Sequence, residues 1–184
     1  MAKPTGYRPE RSGESSEVRD VVRAAFGDEE GVERIVDALR TSDAWLGLSY
    51  VAEDASGLVG HVAFTRSLLD APDRLVDVLV LSPLSVLPRR QGQGVGSELV
   101  RYALAELEGR PEPLVFLEGG PDFYSRLGFI AGKELGFSAP SVRIPPPAFQ
   151  VATLPGYDQT WMSGAVVYPD VWWRQNAVGL RPER

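Results

Sequence analysis

Residues 91–97 place three glycines at alternate positions immediately before a run of apolar residues at helical spacing. The segment reads Gln91-Gly92-Gln93-Gly94-Val95-Gly96-Ser97, and two arginines, Arg89 and Arg90, precede it. Glycines leave the main-chain amides of a turn open to a ligand, and a helix N-terminus favours an anion through its free N–H groups and its dipole. This pattern therefore favours a site in which backbone amides bind a phosphate or diphosphate group.

The same segment argues against one kind of phosphate site and leaves a second as an alternative. A nucleoside-triphosphate P-loop needs Lys and then Ser or Thr after its last glycine, whereas Val95 and Gly96 follow Gly94. A dinucleotide fingerprint needs G-x-G-x-x-G, but Ser97 occupies the third glycine position. Glu118 could then bind a ribose, although the turn follows a predicted hairpin rather than a first strand. A dinucleotide-binding enzyme and a purely structural strand-to-helix turn stay open at this point.

The elements around the turn predict a parallel strand–helix–strand unit. The nearly continuous apolar run Leu75–Leu87 is typical of a strand buried on both faces. Pro83 has no N–H for a ladder bond, so we expect a bulge or splayed pairing there. Apolar residues at helical spacing from Val95 to Leu107 predict a helix that Gly109 closes, and Pro113–Glu118 predicts a short buried strand.

Further elements are predicted on both sides of this unit. Apolar spacing indicates a first strand near Tyr7, a helix from Ser15 or Ser16 to Phe26, a helix over Glu29–Arg40, a hairpin of Trp45–Glu53 with Leu58–Leu68, a short helix over Asp122–Leu127, and strands over Phe149–Leu154 and Ala165–Tyr168. We expect residues 1–173 to form a single domain and residues 174–184 to form a weakly ordered C-terminal tail.

Composition excludes several classes of function. The chain has 184 residues, a net charge of -6, no cysteine and one histidine. These counts argue against disulfide frameworks, zinc sites and thiol catalysis, and we expect no metal. An acidic chain is a poor nucleic-acid binder, because binding depends on neutralising phosphates. No apolar run approaches the ~20 residues of a membrane span. The N-terminus lacks the apolar core of a signal peptide. We therefore expect a cytoplasmic protein with no nucleic-acid or membrane partner.

Two segments of the sequence resemble the motifs of the GNAT superfamily of N-acetyltransferases. Residues 91–96 match its motif A, Q/R-x-x-G-x-G/A, and Val86-Leu87-Pro88 resembles the V-x-P end of the family's fourth strand. Residues 123–129, Phe-Tyr-Ser-Arg-Leu-Gly-Phe, resemble motif B, Y-x-x-x-G-F. The chain is most similar to small bacterial acetyltransferases of unassigned substrate.

The resemblance implies an α+β fold with a mixed, mostly antiparallel sheet, in which the fourth and fifth strands are parallel and splay apart, with flanking helices. It also implies a set of residues that bind acetyl-CoA: backbone groups at Leu84, Ser85 and Val86 for the pantetheine arm, and Gln91, Gly92, Gln93, Gly94, Val95, Gly96 and Ser97 for the diphosphate. Transfer would pass directly to a primary amine in a ternary complex of a monomer or homodimer. A non-catalytic acyl-CoA sensor is an alternative within the same fold.

Acetyl transfer to an amine needs a proton acceptor for the amine, a donor for the oxyanion and an acid for the departing sulfur. By resemblance to motif B, Tyr124 is the acid and also lies at the cofactor site. A backbone N–H near residues 84–86 is the predicted oxyanion donor. Glu118, at the end of the fifth strand, is our candidate base, and the other candidate bases are His61, Glu53, Asp77 and Asp122.

Overall fold

The computed structural model describes residues 6–27 and 31–180. The predicted start of the second helix at Glu29 and the last four residues of the predicted tail lie outside these ranges. The strands are β1 Gly6–Pro9, β2 Trp45–Asp54, β3 Gly57–Asp70, β4 Leu75–Val86, β5 Leu114–Glu118, β6 Ile130–Ala131, β7 Phe137–Ser138, β8 Phe149–Thr153 and β9 Gly164–Val167. The α-helices are α1 Ser15–Phe26, α2 Val32–Arg40, α3 Val95–Leu107, α4 Pro121–Tyr124 and α5 Asp170–Arg174.

The described residues form two compact units, and β3 and β4 contribute residues to both. The first unit contains the described residues up to Thr65 together with Leu81–Leu107. The second unit contains Arg66–Val80 and the described residues from Glu108 onward.

In the first unit, helices pack against β1, β2 and the first-unit residues of β3 and β4. β1 pairs antiparallel with β2, and β2 pairs antiparallel with β3 in a register that places Val51 opposite His61. The apolar residues of α1 and α2 pack into one buried cluster with residues of β2 and β3: Val18, Val21, Val22, Val36, Val51 and Leu58. A side chain at Gly60 would meet Leu99 of α3 at 3.4 Å, so the glycine lets this helix lie close to β3.

The second unit is built around aromatic side chains. β4 and β5 are parallel, with Leu79 opposite Val115 and Val80 opposite Phe116. β8 pairs antiparallel with β5 and with β6, and β9 pairs antiparallel with the end of β3 and parallel with β7. Phe116 stacks on Phe149 at 5.4 Å and meets Phe137 edge-on at 5.1 Å, as aromatic pairs prefer.

The predicted fold class is confirmed: the sheet is mixed and mostly antiparallel, its β4 and β5 are parallel, and helices flank it. Pro83, where we expected irregular pairing, follows a cis peptide bond within β4. The short helix predicted over Asp122–Leu127 is instead α4 followed by a 3-10 turn at Ser125–Leu127, which ends at Gly128 with φ of 89°.

Residues 174–180, which the sequence analysis assigned to the C-terminal tail, make specific contacts within the second unit. Val178 is buried, and its carbonyl accepts a hydrogen bond of 2.9 Å from Arg143. The amide of Leu180 donates to the carbonyl of Arg143 at 3.4 Å. These contacts give the segment more order than we expected after Trp173. Over the described ranges, no helix has the length and apolar character that crossing a bilayer requires.

Candidate active site

The glycine turn lies in the first unit, between β4 and α3. A 3-10 turn at Pro88–Arg90 leads into it, and residues 91–94 are all exposed. Gly92 and Gly94 have φ of 69° and 82°, in the left-handed region that favours glycine. A Cβ added at either glycine would meet no atom within 4 Å, so there is open space in front of the turn.

Hydrogen bonds within the turn stabilise its shape. The side-chain amides of Gln91 and Gln93 donate to the carbonyls of Val86 and Arg89, each at 2.9 Å. The main-chain amide of Gln91 is used internally, because it donates to the carbonyl of Pro88 at 3.3 Å.

Beyond these bonds, the start of α3 supplies N–H groups for a ligand. The amide of Glu98 donates to the carbonyl of Gly94 at 3.0 Å, which is the first bond along the helix. The amides of Val95, Gly96 and Ser97 precede that bond, and helix geometry gives them no intrahelical acceptor. Three consecutive N–H groups at a helix N-terminus are suited to an anion.

The three predicted pantetheine-binding residues lie at the end of β4 in the same unit. Leu84 and Val86 are half-buried, whereas Ser85 is buried. The Ser85 hydroxyl has no hydrogen-bond partner within the described ranges. This strand end leads directly into the 3-10 turn and the glycine turn, so one continuous segment carries all ten predicted cofactor-binding residues of the first unit.

Tyr124 lies in the second unit, at the end of α4. Its ring packs edge-on against Phe123 and Phe129, and it lies so close to Gly119 that a Cβ there would be 2.4 Å from the Tyr124 ring. Burial raises the pKa of the Tyr124 phenol to about 12, so the hydroxyl keeps its proton at neutral pH. A phenol in this state can donate a proton to a departing group.

Glu118 ends β5 in the second unit, and the C-terminal segment supplies one of its hydrogen bonds. Its Oε2 accepts from the amide of Gly179 at 3.1 Å. The pKa of Glu118 is raised because protein atoms remove water from the carboxylate, and the opposing effects of the Gly179 amide, Tyr168 and Arg143 are smaller. Since the residue keeps an exposed fraction, its carboxylate can contact solvent. A carboxylate with a raised pKa suits a general base.

The other candidate bases are placed less favourably. His61 is fully buried, and burial together with the charge of Arg40 lowers its pKa to about 3. Glu53 is engaged in an ion pair with Arg8 at 2.7 Å. Asp77 and Asp122 are exposed, on β4 and α4. Of the five candidates, Glu118 has the environment best suited to accepting a proton.

Two interactions of the candidate catalytic residues were not predicted from the sequence. Because Gly119 has no side chain, the Tyr124 ring can pack directly against the backbone at that position. The sequence feature that could have indicated this contact is a glycine directly after a predicted strand. The Tyr168 hydroxyl is buried, and the charge of Glu118 adds to burial in raising the pKa of that phenol. No sequence pattern connects Tyr168 with Glu118, because the two residues are distant in the chain. In the described residues, no three His, Asp or Glu side chains are grouped to hold a metal ion.

Comparison with protein families gives an independent result. A family model described as "Acetyltransferase (GNAT) domain" matches residues 6–131. The chain is 33% identical over 129 residues to the uncharacterized N-acetyltransferase YjhQ of Escherichia coli K12. That alignment covers 69% of this chain and 71% of the relative. It is also 35% identical over 97 residues to the uncharacterized N-acetyltransferase YhbS of the same strain. That alignment covers 52% of this chain and 56% of the relative.

Solved structures also resemble the fold. The crystal structure of the GNAT family N-acetyltransferase YhbS from Escherichia coli in complex with CoA has a TM-score of 0.84, with 25% identity and 98% of both chains covered. A GNAT family acetyltransferase from Brucella melitensis in complex with acetyl-CoA has a TM-score of 0.69 and 32% identity, with 91% of this chain and 97% of that chain covered.

Proposed function

The chain belongs to the GNAT family of acetyltransferases, and from that premise we propose that it transfers an acetyl group from acetyl-CoA to a primary amine. The transfer is direct, in a ternary complex of the enzyme with both substrates. The sequence has no cysteine, so no thiol of the protein can carry the acetyl group between them. Acetyl-CoA is the co-substrate of this family, and two similar structures hold CoA and acetyl-CoA.

The observation that carries the proposal is the exposed glycine turn at the N-terminus of α3. Its two left-handed glycines leave open space, and the amides of Val95, Gly96 and Ser97 have no acceptor along the helix. A diphosphate supplies several oxygens to such amides and also interacts favourably with the helix dipole. We assign the diphosphate of acetyl-CoA to this turn and its pantetheine arm to the end of β4.

The reaction needs a base for the amine, a hydrogen-bond donor for the oxyanion and an acid for the sulfur. We assign a separate group to each of these roles. Glu118 takes a proton from the acceptor ammonium, either directly or through water, because an alkyl ammonium with pKa near ~10.4 is not a nucleophile. The free amine attacks the thioester carbon, and a main-chain N–H near residues 84–86 stabilises the oxyanion. The nitrogen then loses its second proton to water. When the carbon–sulfur bond breaks, Tyr124 donates its proton to the sulfur and regains one from solvent.

A thiol-release assay tests the proposed function. The purified protein is incubated with acetyl-CoA and a panel of primary amines, and free CoA is measured with a thiol reagent. We expect at least one amine to give turnover above the rate of acetyl-CoA hydrolysis, with the N-acetylated product detected by mass spectrometry. Tight binding of acetyl-CoA without turnover over a broad panel would instead favour the sensor module. A dinucleotide that stabilises the protein more than CoA in a thermal-shift comparison would favour the remaining alternative.

A further inference from the structure

A charged pair that the reaction does not use connects the β2–β3 turn to the residues before the glycine turn. Oδ2 of Asp54, at the end of β2, lies 3.2 Å from Nη2 of Arg90, and both residues belong to the first unit. The Arg90 side chain is 3% exposed and that of Asp54 is 10% exposed. A guanidinium this deeply buried is costly to leave without a counter-charge.

The carboxylate of Asp54 is held in place by its own turn. Its Oδ1 accepts hydrogen bonds from the amide and the hydroxyl of Ser56, at 2.8 Å and 2.6 Å, which leaves Oδ2 for Arg90. Arg89 donates to the Ser56 hydroxyl at 2.9 Å. Both arginines of the 3-10 turn are therefore tied to the same hairpin turn.

The backbone of Arg90 lies directly before the glycine turn. Its amide donates to the carbonyl of Leu87 at 2.7 Å and closes the 3-10 turn from which residues 91–97 continue. The Nε and Nη2 of Arg90 are buried and have no hydrogen-bond partner among the residues that the structure describes, so Asp54 contacts Nη2 as an ion pair. Because Arg90 is buried, it cannot bind a phosphate from where it lies, so we consider it a support for the turn rather than a ligand.

We propose that Asp54 is a positioning residue for acetyl-CoA: through Arg90 and Ser56 it fixes the 3-10 turn that aims the amides of Val95, Gly96 and Ser97 at the diphosphate. This inference rests on the proposed function, since it assumes that the glycine turn binds the diphosphate. Removing the charge of Asp54 leaves the Arg90 cation uncompensated, and the guanidinium then moves toward water. The turn loses its anchor, and binding of the diphosphate weakens while the thioester end of the ligand is unaffected.

The test compares Asp54→Asn with Asp158→Asn. Asp158 is a matched control because its Oδ1 accepts from the amide and hydroxyl of Thr160 at 2.9 Å and 2.6 Å, in the same turn geometry but in the second unit. Affinity for CoA is measured by calorimetry, and affinity for pantetheine, which lacks the diphosphate, by NMR titration. We expect Asp54→Asn to weaken CoA binding about tenfold, the effect of losing one charge-assisted contact. Pantetheine affinity should be unchanged in every variant, and Asp158→Asn should bind both ligands like the wild type.

Two further variants keep the result decisive. Ser56→Ala removes the exposed hydroxyl that bridges Asp54 and Arg89, and it should weaken CoA binding by about threefold without affecting folding. This variant carries the test if Asp54→Asn does not fold. Equal losses for CoA and pantetheine, or no loss in Asp54→Asn and Ser56→Ala, would overturn the positioning role. Gly94→Ala separates the two proposals: if it weakens CoA binding while the Asp54 and Ser56 variants do not, only the positioning role fails. If Gly94→Ala also has no effect, the diphosphate site itself is misplaced.

Discussion

His61 makes the stability of the protein depend on pH in a range where no other histidine contributes, because the chain has one. Its Nε2 lies 2.9 Å from the Ser49 hydroxyl, which also bonds Glu10. Its Nδ1 is buried without a hydrogen-bond partner among the described residues. Burial, and to a lesser degree the charge of Arg40, lowers the pKa of His61 from 6.5 to about 3. The folded protein therefore holds this imidazole neutral at every pH above about 3.

The size of the effect follows from linkage. Above pH 6.5 the imidazole is neutral in both states, so its titration contributes nothing to the free energy of unfolding. Below pH 6.5 the unfolded chain binds a proton that the folded chain does not, and stability falls by about 1.4 kcal/mol for each pH unit. The loss is about 2 kcal/mol at pH 5 and continues as the pH falls toward the folded pKa.

Urea unfolding at pH 7.0, 6.0, 5.5 and 5.0 measures this slope. The His61→Gln variant has no titrating group at the site, so its curve should be flatter by about 1.4 kcal/mol per pH unit below pH 6.5, and by about 2 kcal/mol in total between pH 7.0 and 5.0. Both proteins also carry Glu118→Gln, because the raised pKa of Glu118 acts with the opposite sign. Its carboxylate lowers stability as the pH rises from the pKa of the unfolded state to that of the folded state. Glu14 and Glu53, whose pKa values are lowered by Arg8, lose their contribution only below about pH 4.5.

Identical slopes in the wild type and His61→Gln would refute the reasoning. So would an NMR titration of the folded protein that gives His61 a pKa near 6.5. Either result would also return His61 to the candidate bases, since a histidine that titrates near neutrality can accept a proton from an amine.

Three further predictions concern the candidate site. Tyr124→Phe should lower kcat by ~10²–10⁴, the usual contribution of a general acid, while calorimetry should find an unchanged Kd for acetyl-CoA; an unchanged kcat would remove Tyr124 as the acid. Glu118→Gln should lower kcat by a similar factor and abolish the acid limb of the kcat–pH profile. In the wild type, the midpoint of that limb should lie above the ordinary pKa of a carboxylate. Survival of the limb in the variant would assign it to another group. Gly94→Ala and Gly13→Ala should each cost ~1–2 kcal/mol of stability by denaturant unfolding, because φ is 82° and 92° at these positions, but only Gly94→Ala should weaken CoA binding; equal CoA affinity in both would contradict the diphosphate assignment.

Local patterns predicted the elements that carry the phosphate-binding segment. The apolar spacing from Val95 to Leu107 predicted α3, since a helical face must repeat near every 3.6 residues, and the helix ends at Leu107, just before the Gly109 expected to close it. The apolar run of β4 and the short run of β5 predicted buried parallel strands, and the structure pairs them in that direction. The glycines at positions 92 and 94 adopt the left-handed conformation that makes glycine necessary there.

Contacts between distant parts of the chain were not predictable from spacing. Asp54 and Arg90 meet because a hairpin turn and a strand end lie at the same place in the first unit. The Gly179 amide reaches Glu118 through a segment whose composition is typical of a loose tail. β9 pairs with the end of β3 at a site where a side chain on Gly164 would come within 2.2 Å of the Asp70 carbonyl. Such contacts depend on tertiary packing, which local periodicity does not encode.

The most direct test of the central claim is an NMR titration of ¹⁵N-labelled protein with CoA, following the amides of residues 92–97. We predict that the signals of Val95, Gly96 and Ser97 shift in a saturable manner, and that pantetheine alone leaves them in place. If these amide signals do not move while CoA binds elsewhere on the protein, the turn at the start of α3 does not hold the diphosphate, and the proposed site is wrong.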